Sequence, residues 1–359
     1  MSATAPVVTT PASLPEQTNA MRGLSPWGRA WFRFKSNRRG YRSLWIFGII
    51  FIVCLFAELL SNDRPLMVKY DSKLYFPLFN DYPEKTFGGD FDTKADFLDP
   101  YIREKINKKG WLFFPPNRYR YDTINYFAEM PNPAPPSSQN WMGTDDRGRD
   151  VLARLVYGLR ISLLFGFALT AIGVFVGVVA GAIQGYFGGR VDLLFQRFME
   201  VWGSMPELYL LIIFASIFQP SIGLLLILLS MFGWMSLADY VRAEFLRGRN
   251  LEYVRAARAM GVPNRGIIWN HLLPNSMTPV ITFLPFRNSA AILALTSLDF
   301  LGLGVPPTTP SLGELLAQGK DNIEAWWISL STFLVLVGSL TLLIFIGEAL
   351  REAFDQRKG

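Results

Sequence analysis

The residue types that most often carry chemistry are scarce in this chain of 359 residues. There is one cysteine, Cys54, and one histidine, His271. A disulfide within the chain is therefore impossible. Zinc sites built from Cys and His, and Cys–His catalytic pairs, lose nearly all their raw material. A serine nucleophile needs a base, and His271 lies close to Pro274 with no Gly-x-Ser-x-Gly turn nearby. Asp92, Asp96 and Asp99 hint at calcium, but their spacing lacks the alternate ligands and closing glutamate of a calcium loop. Solvated surface charge is the plainer reading. The run Gly313-Glu-Leu-Leu-Ala-Gln-Gly319-Lys320-Asp321 imitates a phosphate loop. It fails because five residues instead of four separate the glycines, and Asp321 stands where Ser or Thr must hold magnesium. A loop and short helix is expected there instead, and nucleotide hydrolysis by this chain is not.

Two features remain. The first is the stretch from Asp239 to Asn275, which includes Leu251-Glu-Tyr-Val-Arg255-Ala256-Ala257-Arg-Ala-Met-Gly261-Val262-Pro263-Asn264. Its first part has helical character. Gly261-Val262-Pro263 breaks the helix, because Gly takes the left-handed cap position and Pro cannot extend a helix. Asn264 is expected to cap a second short helix that ends before Pro274. Two short helices joined by a sharp turn make a rigid knob, and the small Ala256 and Ala257 let a partner's groove approach closely. That chemistry is docking and the transmission of force. The second feature is Arg287, deep in an apolar block. A charge at the bilayer centre costs at least ~2.5 kcal/mol, so it should not face lipid. Asp299, twelve residues on and roughly 18 Å along a helix, is out of reach. Arg287 either faces a wet translocation cavity or pairs with Glu200 or Glu207.

These features sit in a chain that is half apolar, 14% aromatic and only 18% charged, with a net charge of +6. A soluble chain carries about 25% charged residues. The apolar residues gather into blocks of roughly 17 to 25, enough to cross a ~30 Å hydrocarbon core. A soluble enzyme is excluded. The expected spans are Leu44–Leu60, Ile161–Ile183, Leu193–Phe218 with a kink at Pro206, Ile222–Leu237, Thr278–Leu301 and Trp326–Ile346. The organisation expected is a disordered tail over 1–23, a basic amphipathic helix over 24–43, a first span over 44–60 and a polar insert over 61–160. A five-helix core over 161–347 follows, with the knob segment at 239–275, and a tail over 348–359. The insert has 15 basic against 14 acidic residues and 16 aromatics between Ser61 and Asn140, so it reads as a small surface-packed domain with little regular structure. Six spans place both termini on one side. The short loops on that side hold 18 Lys and Arg, against Lys320 alone on the other, so both termini are expected in the cytoplasm and the insert outside.

Several stretches together resemble one family. Ala256-Ala257-x3-Gly261-x11-Leu273-Pro274 is similar to the coupling loop of ATP-binding-cassette (ABC) importer permeases, with Arg255 and His271 as departures shared by the oligopeptide and dipeptide branch. Asn140-Trp-Met-Gly143-Thr144-Asp145-Asp146-x-Gly148-Arg149-Asp150 resembles the signature before that branch's second span. Gly185-Tyr-Phe-Gly-Gly189-Arg-Val-Asp192 resembles its short turn. The likeness runs from about Arg33 to Phe354. It implies an all-α, six-span type I (MetI-like) permease with an irregular periplasmic insert, in the bacterial inner membrane. The implied function is ATP-driven, binding-protein-dependent import of oligopeptides, with microcin C-like peptide antibiotics as candidates. The implied coupling residues are Glu252, Arg255, Ala256, Ala257, Gly261, Val262, Leu273 and Pro274. The implied partners are a second six-span permease subunit, two ABC ATPase domains, a periplasmic peptide-binding protein, the peptide and the lipid bilayer, and no nucleic acid. No cofactor is expected in this chain, ATP and Mg being bound by the ATPase subunits. A secondary transporter, or a membrane-anchored enzyme with an external domain, would share the hydropathy profile. The first should show internal repeats and paired intramembrane charges; the second needs an acid, base and nucleophile that cannot be assembled here.

Overall fold

The computed structural model describes residues 25–126 and 130–355. The expected disordered tail, Leu24 and the last four residues lie outside them. Helix α1 (Pro26–Ser36) starts where the Ser25 hydroxyl accepts from the Gly28 N–H and Pro26 opens the first turn. Its Phe34 is buried against Ala349 and Ala353 near the end of the chain. The helix ends at Asn37, whose side chain accepts from the Gly40 N–H and caps α2 (Arg38–Leu55). The break between the first two helices therefore falls at Asn37, whereas the basic helix was expected to run to residue 43. An Asn between two arginine-rich turns supplies the cap that apolar periodicity does not reveal. Gly40 lets α2 close on the last helix, since a Cβ there would fall 2.1 Å from the Ala349 Cβ. A break at Phe56 and the short α3 (Ala57–Leu60) complete the stretch expected as one span.

The insert has more regular structure than its composition suggests. Strand β1 (Met67–Tyr70) is central in a three-stranded antiparallel sheet, flanked by β2 (Lys73–Tyr75) and β3 (Gly110–Phe113). Asp71 and Ser72, both at positive φ, form the two-residue hairpin turn. Helix α4 (Pro100–Lys109) is capped by Asp99 and buries Ile102 and Ile106 against Val68, Tyr70, Phe87 and Phe97. Aromatic edges meet faces throughout this core, as in the Phe87–Phe97 pair at 5.4 Å. Strands of three and four residues are too short to register as an alternating pattern, so the sequence reading of an irregular insert is corrected here.

Helix α5 (Val151–Phe187) is 37 residues long and begins ten residues before the expected span, because Asp150 caps it through the Ala153 N–H. The insert thus ends at Asp150. Helices α6 (Gly189–Gly203) and α7 (Glu207–Ile217) meet at 65° just before and at Pro206, where the kink was expected. Then come α8 (Ile222–Gly233), α9 (Met235–Gly248), α10 (Glu252–Ala259), α11 (Asn264–Phe300), α12 (Leu312–Asp321) and α13 (Trp326–Phe354). Among the described residues, four helical stretches are long and apolar enough to cross a membrane: α5, α8 with α9, α11 and α13. The bent α6–α7 pair makes five. Helix α2 is 18 residues long and opens with three arginines in five positions, so its apolar part is short.

The centre of the fold is the seam between α5 and α9. Gly177, Gly181 and Gly185 lie four apart on α5. A Cβ at Gly181 would sit 2.4 Å from the Ala238 carbonyl oxygen, and one at Gly185 would sit 2.5 Å from the Phe245 Cβ. The two backbones touch because the side chains are missing.

Candidate functional site

The knob is built by α10 and the turn after it. Gly261 has φ +80°, the Val262 N–H donates to the Ala257 carbonyl, and the Gly261 N–H donates to the Arg258 carbonyl, both at 3.1 Å. This doubly bonded cap is why Gly-Val-Pro ends the helix so sharply. Val254 and Ala257 are buried and Val262 packs beneath them. Ala257, expected at the contact surface beside Ala256, is 2% exposed and faces the core. The exposed face consists of Glu252, Arg255, Ala256, Met260 and Gly261, with Met260 77% exposed. Nothing lies within 4 Å of a Cβ placed on Gly261.

Beyond the turn two expectations are corrected. Asn264 does not cap the next helix. Pro263 occupies that position with extended ψ, and the Asn264 carboxamide oxygen accepts from the Tyr186 hydroxyl at 2.6 Å. Nor does a short helix end before Pro274. Residues Ile267–Leu272 form a π-helical turn in which the Leu273 N–H reaches the Ile268 carbonyl, and α11 continues through Pro274 and Phe300. The proline's missing donor falls where the hydrogen-bond ladder is already changing register, so it interrupts little. Leu273 is half-buried and Pro274 exposed, while Trp269 on the π-turn is 63% exposed. His271 is part of this turn: Asn275 donates to its carbonyl at 3.0 Å and to the Tyr253 hydroxyl at 3.3 Å, tying α10 to α11.

The knob is wired to the long helix. Arg249 donates to the Gly185 and Tyr186 carbonyls at the end of α5, both at 3.3 Å. The Arg258 guanidinium lies 5.8 Å over the Tyr186 ring. Arg242 on α9 forms a forked ion pair with Asp192 on α6, one arm at 2.7 Å. The glycine turn read from sequence thus supplies both Asp192 and Tyr186. Residues on three other elements complete the joint, and no local spacing announces them.

Among the described residues, Arg287 forms neither of the ion pairs expected as one of its two alternatives, with Glu200 or with Glu207. Glu200 is engaged with Arg197 at 2.6 Å. The Arg287 guanidinium instead donates to the Ser236 hydroxyl at 3.0 Å and to the Gly233 carbonyl. That carbonyl belongs to the break between α8 and α9 at Trp234, where backbone groups leave the helical ladder. The indoles of Trp202 and Trp234 likewise donate to the Met231 carbonyl at 3.1 and 3.0 Å. In an apolar setting each unmet carbonyl is costly, and these side chains satisfy them. Gly173 leaves the space for the guanidinium, since a Cβ there would meet it at 3.0 Å.

At the other end of α5, about 55 Å along a helix of 37 residues, the Asn140–Asp150 motif forms a clasp. Asp150 accepts from Asn117 at 2.7 Å and from Asn140 at 2.8 Å, which binds the insert to the helix start. Asp145 accepts the Arg147 and Arg149 N–H groups and the Arg149 side chain. Arg154, fully buried, reaches Asp145 and Glu314, and Arg149 donates to the Pro307 carbonyl at 2.9 Å. Burial, opposed by the Arg154 and Arg149 charges, raises the Glu314 carboxyl above its usual range. The run that imitates a phosphate loop is α12, an ordinary helix capped by Ser311, whose first turn supplies Glu314. Among the described residues, no group of His, Cys, Asp and Glu is arranged to hold a metal.

Residues 173–359 match the family described as binding-protein-dependent transport system inner membrane component. Residues 25–82 match the N-terminal transmembrane domain of oligopeptide transport permease C. The chain is 53% identical over 339 residues to the inner membrane ABC transporter permease protein YejE of Escherichia coli K12, covering 94% of this chain and 99% of that protein. It is 49% identical to the peptidoglycan transport system permease protein YejE of Agrobacterium fabrum, covering 92% and 93%. It is 36% identical to the oligopeptide transport system permease protein OppC of Haemophilus influenzae, covering 70% and 80%.

Proposed function

The chain belongs to the binding-protein-dependent transport system inner membrane components, and from that membership we propose how this permease of an ABC peptide importer works. As a translocation subunit it makes and breaks no covalent bond. The proposed assembly pairs it with a second six-span permease subunit, two ABC ATPase domains that bind ATP and Mg, and a periplasmic peptide-binding protein. Counting α2 with α3 as one crossing, and the bent α6–α7 pair as another, completes six spans with both termini in the cytoplasm. The insert then lies on the periplasmic side.

The observation that supports this reading best is the knob. Among the described residues, nothing covers its exposed face of Glu252, Arg255, Ala256, Met260 and Gly261, while its inner side is tied to the end of α5 through Arg249 and Tyr186. Movement of an ATPase domain against that face would reach α5 and α9 without slack, so the pathway would open alternately to the two sides. Arg287 and the carbonyls of the α8–α9 break are the polar groups proposed to border that pathway. The cargo proposed is oligopeptides, with microcin C-like peptides and, by the name of the Agrobacterium relative, peptides derived from peptidoglycan as candidates.

Affinity purification from its native membrane tests the assembly. The chain should bring ABC ATPase subunits and a second permease with it, and deletion of its gene should abolish binding-protein-dependent peptide uptake. Recovery of the chain alone, with uptake intact in the deletion strain, would defeat the proposal.

A further inference from the structure

Between Ser25 and Ala57 the chain carries six Lys and Arg and no Asp or Glu. All six lie between Arg29 and Arg42, on α1 and the opening of α2. Arg29, Arg38, Arg39 and Arg42 are exposed. Among the described residues, none of these four guanidinium groups has a hydrogen bond or ion pair. The end of α13 and its cap add Arg351 against Glu348, Glu352 and Asp355, which leaves the surface basic.

Exposed arginines alone would mark only a solvated segment, but these stand on a helix held at a fixed place. The Phe34 ring is buried against Ala349 and Ala353. Trp27 meets Phe354 edge to face at 5.4 Å, Arg33 donates to the Asp355 carbonyl at 3.2 Å, and the Asn37 amide donates to Glu352 at 2.8 Å. All these contacts fall on residues 349–355, about two turns at the end of α13 and past its apolar run. Gly40 packs against Ala349, so the arginines at the start of α2 share that level. Helix α1 is thus kept where α2 and α13 leave the apolar layer. Its indoles are only partly packed there. Trp27 and Trp31 are 52% and 49% exposed. Trp31 stacks on Phe34 at 5.6 Å, and the Lys35 ammonium lies 5.4 Å over the Trp31 ring.

We propose that α1 and the first turn of α2 form a docking surface for anionic phospholipid headgroups. Arg29, Arg38, Arg39 and Arg42 pair with the phosphates, and Trp27 and Trp31 enter the boundary between headgroups and acyl chains. Half-packed indoles beside unpaired arginines at the end of a span match a surface that is phosphate-bearing outside and apolar beneath. A free phosphate would satisfy the arginines and leave the indoles in water. Since α1 also grips the end of α13, the contact holds the α2–α13 pair against the leaflet. The proposal rests on the permease reading, which makes the leaflet the cytoplasmic one.

The test uses the full chain with its associated membrane subunits, purified in detergent so that lipid can be titrated. The probes are phosphatidylglycerol and phosphatidylcholine carrying the same fluorescent acyl chain. Fluorescence anisotropy should show phosphatidylglycerol binding at least about tenfold more tightly in ~50 mM salt, and the preference should collapse in ~500 mM salt as the charges are screened. The triple variant Arg29→Gln, Arg38→Gln, Arg39→Gln should bind the two lipids within about threefold of each other. Its thermal midpoint should not change, because none of the three guanidinium groups bonds within the fold. Arg33, Lys35 and Arg42 remain to orient the first span. Where the triple variant does not assemble, Arg29→Glu, outside the span, should by itself cut the preference at least about threefold. Equal binding of the two lipids by the wild type would overturn the proposal. So would an undiminished preference in the variants, or displacement of the lipid by millimolar glycerol phosphate, which would mark a site for a free anion. Loss of the ATPase subunits from the triple variant, with its lipid preference intact, would assign the face to a protein instead. Peptide uptake by cells separates the two levels of the argument. Uptake that depends on this chain, with equal binding of the two lipids, defeats only the docking surface. Lipid preference without any uptake that depends on the chain defeats the importer reading and leaves α1 as an anchor.

Discussion

Replacing Gly181 by alanine adds one methyl group at the point where α5 and α9 touch. The new Cβ would stand 2.4 Å from the Ala238 carbonyl oxygen, 2.8 Å from the Val241 Cβ and 3.0 Å from the Arg242 nitrogen. All three atoms belong to the α9 backbone or to a Cβ, so none can rotate out of the way. Ordinary contact begins at 3.4 Å, which requires the helices to part by about 1 Å. A gap of ~0.5–1 Å forfeits a quarter to a half of each contact's dispersion energy along the seam. Overpacking of this kind costs up to about 3 kcal/mol. The better helix propensity of alanine offsets about 1 kcal/mol, leaving a net loss of about 2 kcal/mol. The thermal midpoint should fall by roughly 4–8 °C. Because α9 leads into the knob, peptide taken up per ATP hydrolysed should fall too. Gly223→Ala and Gly338→Ala serve as controls, since nothing lies within 4 Å of a Cβ at either helical position. Thermal denaturation of the purified complex, with ATPase and uptake measured on the same variants, decides the matter. A Gly181→Ala complex as stable and as tightly coupled as the wild type, or controls that are equally damaging, would refute the reasoning.

Three further outcomes are expected. Arg154→Met removes the nearer of the two arginines from Glu314, which keeps Arg149 at 3.5 Å and the Gln318 amide at 3.0 Å, and should cost up to about 3 kcal/mol, while adding Glu314→Gln should recover part of that loss; a double-mutant cycle on thermal stability reads the coupling. Gly261→Trp forces a side chain onto a backbone at φ +80°, costing roughly 1–2 kcal/mol locally, and places bulk on the exposed knob face. It should lower uptake at least about tenfold while leaving membrane insertion intact, which fractionation and transport assays will show. Arg287→Met leaves the Gly233 carbonyl without its donor. A loss of about 1–3 kcal/mol with little assembled protein marks a role in holding the α8–α9 break, whereas lost transport by a normally assembled complex marks a place on the pathway.

The sequence by itself determined the membrane class, most of the apolar blocks, the kink at Pro206 and the sharp Gly261-Val262-Pro263 stop. Each follows from local physics: a run of apolar residues, a missing N–H, a positive φ that glycine accepts. The motif from Asn140 to Asp150 was also legible as a string, and so was the glycine turn at 185–189. What these strings do was decided only by tertiary structure. Asp150 binds the insert because Asn117, 33 residues earlier, is folded back onto it. Ala256 and Ala257 are equally small, yet one faces out and the other in, since the direction of the α10 stripe depends on Val254, Val262 and the core beneath. Asn264 has the right residue type for a cap but is claimed by Tyr186, 78 positions away. The sheet of the insert joins strands about forty residues apart, each too short to show a period. Arg287 could be recognised as a charge needing a partner. Its partner is a backbone carbonyl freed where another helix breaks, and a carbonyl is present at every residue, so nothing in the sequence could point to that one.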